Sequence, residues 1–453
     1  MEQPHLTEFN QARPDKSSPY LCHAPFKSIF FGMRGNLMTC CFNRMYNLGT
    51  YPEKSIKEIW FGEKADTLRE AIKKNDLSLG CQLCGHMLAA KNFEGIPIKN
   101  FDYIGWDKEG YPTKMDFELS NTCNLECIMC RGELSSSIRQ NREKKPPIPM
   151  SYDDEFIRQL EEFIPHLQNS HFLGGEPFLI PIYLDIWEKM IELNPKISIS
   201  VQTNATVLNE RIKKILEAMP FSISVSIDSI EKETYEQIRV NANFERVMEN
   251  ILFFKEHCSR KGKKLTISYC PMIQNWRELP RVVEFCNGLN ADVFFNTVVL
   301  PVKCSLNYLP VAELADVISF LEQHQPALPT ESEVQRFNKK GYEGVMNQLK
   351  YFHSQALIRE KNFGGRTVVK DIDEYLKVLK KSVESYPHTH NKSAMYFDME
   401  EKIKLLLQQA EEESLRDDVQ AFLCSLDPVT VCDHFPTIEK EQIYTLVKLH
   451  AGL

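Results

Sequence analysis

From residue 115 to 299 the chain alternates between two hydrophobic periods. Short apolar or β-branched runs stand at 115–119 (MDFEL), 170–173 (SHFL), 197–202 (ISISVQ), 221–227 (FSISVSI), 265–270 (LTISYC) and 292–299 (DVFFNTVV). Runs of this length and composition predict strands. Helical spacing fills the intervals at about 152–164, 182–193, 208–218, 231–257 and 276–288. Strands alternating with helices predict an α/β fold with a parallel sheet of βαβ units. Six units are too few for a closed eight-stranded barrel, so an open, partial (β/α)6 barrel is expected. Its catalytic groups belong at the C-terminal ends of the strands. The charged stretch REKKPP (142–147) reads as a loop after the first of these strands.

The flanks differ. Residues 1–105 are rich in cysteine, with an Arg34-Gly35-Asn36 turn and one helical stretch near 54–74. From about 311 the strand signals stop. VAELADVISFLEQ, IDEYLKVLKKSVES and MEEKIKLLLQQAEEE are amphipathic at helical spacing, so 311–453 reads as a helical region. Within it, 325–365 is irregular and polar and reads as a mobile, lid-like segment. The expected division is therefore 1–105, 106–310 and 311–453.

Charge narrows the class. The chain has 54 basic against 62 acidic residues, a net −8, which argues against a strong nucleic-acid or anionic-membrane binder but leaves room for a local basic patch. It contains no apolar run long enough to span a bilayer. The opening MEQPHLTEFNQARPDK lacks the apolar stretch of a signal peptide, so a cytosolic location is expected.

The 14 cysteines change the picture most. They are too dilute for a disulfide scaffold, and in a reducing compartment grouped cysteines are ligands or catalysts more often than bridges. Positions 22, 40, 41, 81 and 84 form one group. Cys123, Cys127 and Cys130 form a second, with spacing C-x3-C-x2-C directly after the first strand. Three thiolates on one loop can hold a [4Fe–4S] cluster while leaving one iron open. A zinc site is the alternative, although zinc normally takes paired C-x2-C knuckles and a fourth ligand; three buried, unliganded thiols are the remaining alternative. The remaining cysteines, at 258, 270, 286, 304, 424 and 432, are scattered.

The segment Asn121-Thr122-Cys123-Asn124-Leu125-Glu126-Cys127-Ile128-Met129-Cys130-Arg131 resembles the signature of the radical SAM enzyme superfamily. Further elements follow in that family's order. Gly174-Gly175-Glu176-Pro177 resembles the GGEP motif that contacts the amino group of S-adenosylmethionine (SAM). Gln202-Thr203-Asn204-Ala205 resembles the third-strand element. Ser226 and Asp228 match the fourth-strand motif that contacts the SAM ribose. Ile238-Arg239 resembles the element whose Arg pairs with the SAM carboxylate. Met129 takes the adenine-contacting place, where a bulky and often aromatic residue is usual, and Asn241 follows where the family has Gly. The match covers about 115–300. The resemblance implies reductive cleavage of SAM to a 5′-deoxyadenosyl radical that abstracts hydrogen from a substrate, with the cluster carrying the radical chemistry.

The N-terminal group bears a second resemblance. Cys22, Gly35 and Cys40 at spacing C-x12-G-x4-C, then Trp60-Phe61-Gly62 and Cys81-x2-Cys84, resemble the opening of a SPASM/twitch auxiliary-cluster domain. Here it precedes the core, and later cysteines of a full domain are missing. One auxiliary [4Fe–4S] cluster is therefore implied, with Cys41 competing with Cys40 as ligand; a structural zinc or free buried thiols are the alternatives. Cys270 and Cys304, near strand ends, are candidate hydrogen-atom donors or small core residues. Glu118 and Asn296 are candidates to face the cavity, and His23 and His86 to flank the second cluster. The expected substrate is peptide or carrier-tethered, undergoing oxidation, cross-linking or epimerisation. A small molecule such as an aminosugar is the alternative, and a non-catalytic iron–sulfur or SAM-binding regulator the remote one. A flavodoxin or ferredoxin is the expected electron donor, with no nucleic-acid or membrane partner.

Overall fold

The structure, a computed structural model, describes residues 4–89, 91–93, 95–362, 371–387, 391–410, 413–438, 440 and 443. Parts of the helical expectation beyond 363, and the side chain of His86, lie outside the described residues. Two compact units divide the chain: Met1–Ser226 with Val240–Thr266, and Ile227–Arg239 with Ile267–Leu453. These cut the chain at other places than the motif boundaries near 105 and 310.

The first unit holds strands β1 (Ser28–Phe31), β2 (Asn36–Met38), β3 (Gly49–Thr50), β4 (Lys114–Phe117), β5 (Asn169–Phe172), β6 (Ser198–Thr203) and β7 (Phe221–Ser226). Their order is β3-β2-β1-β4-β5-β6-β7. From β1 through β4 to β7 neighbours run parallel, while β2 and β3 form an antiparallel edge. Helices Asp154–Phe163, Pro181–Leu193 and Glu210–Ala218 connect the parallel strands, as the alternating pattern requires.

No strand was expected before 115, yet β1 pairs with β4 over four residues. Its sequence SIFF is wholly buried but too short, among turns and cysteines, to show a strand period. The Cys-rich region thus shares a sheet with the α/β strands. Phe31, Phe117 and Phe172 stand opposite one another in register and stack with ring centroids 5.1 and 4.7 Å apart. Phe156 from one helix and Tyr183 and Trp187 from the next pack edge-on against them.

The opposite face of the same strands is polar. Asp116, His171, Ser200 and Ser222 are aligned in register, and Gln202 faces Ser224 one step on. Parallel sheets covered on both faces read as continuous apolar runs. The serines here are half-buried and Gln202 is exposed, so this face lines an open space rather than a core.

Strand β8 (Leu265–Tyr269) begins in the first unit, where Ile223 N–H donates to Lys264 O, and ends in the second. There β9 (Asp292–Phe295) follows, and Asn296 N–H donates to Tyr269 O. The rest of the second unit is helical, with its own core of Tyr375, Leu379, Met399, Ile403 and Leu423. The irregular, lid-like reading of 325–365 is corrected: Glu333–Asn362 is one helix of 30 residues. Its polar surface hid a buried stripe of Tyr342, Val345, Leu349 and Ala356 at helical spacing. Among the described residues no helix is long and apolar enough to cross a membrane.

That helix also closes an edge. The buried Asn338 amide accepts from Val293 N–H (2.7 Å) and donates to Ala291 O (3.0 Å), taking the place of a neighbouring strand. Replacing Asn338 with Leu should destabilise the second unit by about 1–3 kcal/mol, because two buried backbone groups lose their partner. Urea unfolding with an unchanged midpoint would show that β9 does not need this cover.

Candidate functional site

The first site residues lie just beyond β4. The Tyr183 hydroxyl, fully buried, accepts from Leu119 N–H (2.8 Å) and stands 3.0 Å from Phe117 O and 2.8 Å from Leu173 O. It binds the end of β4 to the end of β5, where two loops begin. The first loop carries Cys123, Cys127 and Cys130. It is anchored to the helix Ser136–Asn141: Cys123 N–H donates to Ser136 Oγ, Ser135 Oγ donates to Leu125 O, and Asn121 Nδ2 donates to Gly132 O. Cys130 N–H closes a turn on Cys127 O at 3.0 Å. Cys123 and Cys130 are half-buried, as is Met129 between the last two cysteines. The Cys123 sulfur lies 3.5 Å from Leu125 N and 3.8 Å from Asn204 Nδ2. Such N–H···S donors are what cluster-bound thiolates use.

The second loop is Gly174-Gly175-Glu176-Pro177. Gly174 has φ +115°, and a Cβ there would stand 2.5 Å from Ser120 O. A Cβ on Gly175 would stand 2.2 Å from Thr122 O. The backbones run side by side, with Gly175 N–H on Ser120 O (3.0 Å) and Glu176 N–H on Thr122 O (2.7 Å). Both glycines are therefore needed so that this loop can touch the cysteine loop.

Glu176 is fully buried, and its carboxylate looks inward. It accepts from Thr203 Oγ1 (2.7 Å), Asn204 N–H (2.6 Å) and Phe178 N–H (3.1 Å). Thr203 ends β6, and Asn204 begins its loop. The Asn204 side chain donates to Asn124 Oδ1 (3.1 Å), and Thr206 Oγ1 accepts from Asn124 Nδ2 (3.0 Å). So Cys123, Gly174, Gly175, Glu176, Thr203 and Asn204 come together in one hydrogen-bonded group. Asn124 and Thr206 belong to it too, and nothing in the sequence singled them out, since uncharged side chains in loops carry no period. Ser226 ends β7, half-buried, with its Oγ 3.4 Å from Gln202 Nε2.

Asp228, Arg239 and Cys270 come together in the second unit. Arg239 Nη2 lies 2.7 Å from Asp228 Oδ2, and Cys270 N–H donates to Asp228 Oδ1 at 2.9 Å. Cys304 is buried, with its carbonyl accepting Ile273 N–H. Asn296 donates to Ser268 Oγ at 2.6 Å.

Among the N-terminal cysteines, Cys22, Cys40, Cys81 and Cys84 line one pocket in the first unit. Cys41 is absent from the lining, which separates it from its neighbour. The other walls are mostly apolar, among them Leu77, Ile98 and Phe101. Burial pushes all four thiols up, Cys84 to about 12, and their mutual repulsion adds to the effect at Cys22, Cys81 and Cys84. A bound cationic iron core would reverse that balance and favour the thiolates. Cys22 and Cys81 already accept from Ala24 N–H and Asn43 Nδ2. The four residues thus fit a fully ligated cluster. Among the described residues no three His, Cys, Asp or Glu side chains converge as for a single metal ion. No disulfide joins any of the 14 cysteines.

Two candidates find other roles. Glu118 is buried and pairs with Arg44 (2.8 Å), whose Nε donates to Cys41 O (3.1 Å). This pair ties the cysteine loop at 40–41 to the end of β4. His23 hydrogen-bonds Ser18 Oγ (2.8 Å) and lies 3.6 Å from Asp102; burial lowers it to about 4, so it is neutral at neutral pH.

Comparison with known proteins agrees with these two groups. The radical SAM superfamily profile matches residues 117–286, and the SPASM iron–sulfur cluster-binding domain matches 22–85. A GTP 3′,8-cyclase of Aliarcobacter butzleri is 27% identical over 194 residues, 41% of this chain and 56% of that one. A cysteine-type anaerobic sulfatase-maturating enzyme of Clostridium novyi is 30% identical over 148 residues, 29% of this chain and 37% of that one. Streptococcus suis SuiB bound to its precursor peptide SuiA aligns at 17% identity with a TM-score of 0.35, over 58% of this chain and 59% of that one. The chain spans about half the length of the first curated relatives it matches.

Two outcomes follow from the loop geometry. Gly175→Ala should displace the cysteine loop and cut reconstituted iron from about eight to about four per chain, the content of one cluster. Cys40→Ser should lose the other four, while Cys41→Ser keeps them. Equal iron in the Cys40 and Cys41 variants would contradict the ligand assignment.

Proposed function

We propose that this chain, which carries a radical SAM domain and an iron–sulfur SPASM domain, cleaves SAM reductively and abstracts hydrogen from a peptide or carrier-tethered substrate. The observation that carries this reading is the group joined at Glu176, where the loops after β4, β5 and β6 meet around Cys123. In this reading Cys123, Cys127 and Cys130 would hold a [4Fe–4S] cluster. When bound and reduced, that cluster supplies the single electron that splits SAM into methionine and a 5′-deoxyadenosyl radical.

The protein's own part is to bind and orient. The Gly174–Glu176 backbone, Thr203, Asn204, Ser226 and Met129 are assigned to SAM; motif order assigns Asp228 and Arg239 to it as well. Cys22, Cys40, Cys81 and Cys84 would hold the second cluster, which would supply an acceptor for the substrate electron or a site that holds the substrate. An external donor of the flavodoxin or ferredoxin class returns reducing equivalents. Cys270 is the proposed hydrogen-atom donor in an epimerising version of the reaction.

The polar face of Asp116, His171, Ser200, Gln202, Ser222 and Ser224 supports a substrate rich in hydrogen-bonding groups, as a peptide backbone is. One relative is named for maturing a sulfatase, which is a protein; another is named for cyclising GTP, which keeps a small polar molecule as the second reading.

Reconstituted, dithionite-reduced protein should form 5′-deoxyadenosine from SAM, and the Cys123/Cys127/Cys130→Ala variant should form none. The Cys81/Cys84→Ala variant should hold about four irons and still form 5′-deoxyadenosine, because its cysteines lie apart from the SAM motifs. Wild-type protein that binds SAM without cleaving it would favour a regulator. A folded Cys81/Cys84 variant, judged by circular dichroism, that has lost all cleavage would contradict the separation of roles.

A further inference from the structure

The motif resemblance makes Asp228 a contact for the SAM ribose, but the structure gives its carboxylate other work. Asp228 has no exposed surface. Its Oδ1 accepts Cys270 N–H at 2.9 Å, and its Oδ2 lies 2.7 Å from Arg239 Nη2. Its own carbonyl accepts from Asn275 Nδ2 at 2.7 Å. Asn275 is itself buried and donates to Cys270 O (2.9 Å) while accepting Met272 N–H (2.7 Å). One residue further on, Ser229 Oγ and Ile230 N–H both donate to the buried Glu278 carboxylate at 2.8 and 2.9 Å. The turn at 228–230 is therefore held from two sides by residues 275 and 278.

A carboxylate in this position presents no surface to a ligand. What it does present is a fixed negative partner for Arg239, the residue that caps the helix Lys232–Ile238 and whose N–H donates to Tyr235 O at 2.7 Å. A guanidinium is planar, so a carboxylate oxygen 2.7 Å from its Nη2 restricts where the rest of the fork can point. The same carboxylate sets the backbone of Cys270.

We propose that Asp228 is a positioning residue: it aims the Arg239 guanidinium at the carboxylate of SAM and does not itself read the nucleoside. Asn275 and Glu278 are the struts that keep Asp228 in place. This rests on the assignment of Arg239 to SAM given above.

The test is SAM titration of reconstituted holoprotein by calorimetry, for wild type, Asp228→Asn, Arg239→Gln and the double variant, with iron content measured for each. Asn keeps the shape and an acceptor for Cys270 N–H but removes the charge. Asp228→Asn should weaken SAM binding roughly tenfold to hundredfold with iron unchanged, the size of a charge-assisted hydrogen bond. The double variant should bind no worse than Arg239→Gln alone, since Asp228 acts through the missing guanidinium. Wild-type affinity in Asp228→Asn, or losses that multiply in the double variant, would overturn the proposal and return Asp228 to direct contact. If Asp228→Asn fails to fold, the double variant, which leaves neither charge buried alone, still decides: affinity equal to Arg239→Gln supports the proposal, and a further tenfold loss overturns it. Wild-type protein that binds no SAM would instead overturn the SAM-site reading as a whole.

Discussion

A buried carboxylate needs donors, and Glu176 has recruited them from its own loop and from the loop after β6. Thr203 Oγ1, Asn204 N–H and Phe178 N–H surround it at 2.6 to 3.1 Å, with no exposed surface left. Each charge-assisted bond of this kind is worth about 1.5–3 kcal/mol, and an unpartnered buried charge costs more than that. The arrangement is thus close to all-or-none. Once Glu176 is satisfied, the loop after β6 is placed, and Asn204 carries that placement on to Asn124 and the Cys123 sulfur. The two glycines ahead of Glu176 complete the set, because only they let its backbone lie against Ser120 and Thr122.

The sheet supplies the platform on which this can happen. One face is sealed by the Phe31, Phe117 and Phe172 stack and by rings from two helices. Strand ends are set by that packing and by the Tyr183 hydroxyl. The other face keeps Asp116, His171, Ser200 and Ser222 in register. The division of labour is physical: the apolar face provides rigidity through dense packing, and the polar face remains open for hydrogen bonding. The Arg44–Glu118 pair ties the loop at 40–41 to the end of β4, within the same sheet.

The second unit uses polar side chains for the same purpose, at places where backbone groups would otherwise be buried without partners. Asn338 stands in for a strand beside β9, and Asn275 and Glu278 hold the turn after Asp228. Each satisfies two or more backbone or side-chain groups at once, which makes it a point of high local order.

Much of this was legible in the chain itself. Strand and helix alternation is a local period, and the six strands from 115 to 299 appear where that period places them. Thiol spacing is local too, so the group at 123, 127 and 130 and the group at 22, 40 or 41, 81 and 84 could be named before any fold was known. The short SIFF run was not legible as a strand, because its evidence is the partner β4, whose Lys114 stands opposite Ser28 from far along the chain. Nor was the helix 333–362, whose buried stripe is masked by charged neighbours. Tertiary structure alone placed Cys40, and not Cys41, in the wall of the pocket shared with Cys22, Cys81 and Cys84, because adjacent residues present their side chains to different sides of the backbone. It alone turned Glu176 inward to Thr203 and Asn204 and paired Asp228 with Arg239. A motif records which residue type is present; where its charge is neutralised depends on chain segments far away in sequence, and only folding brings those into reach.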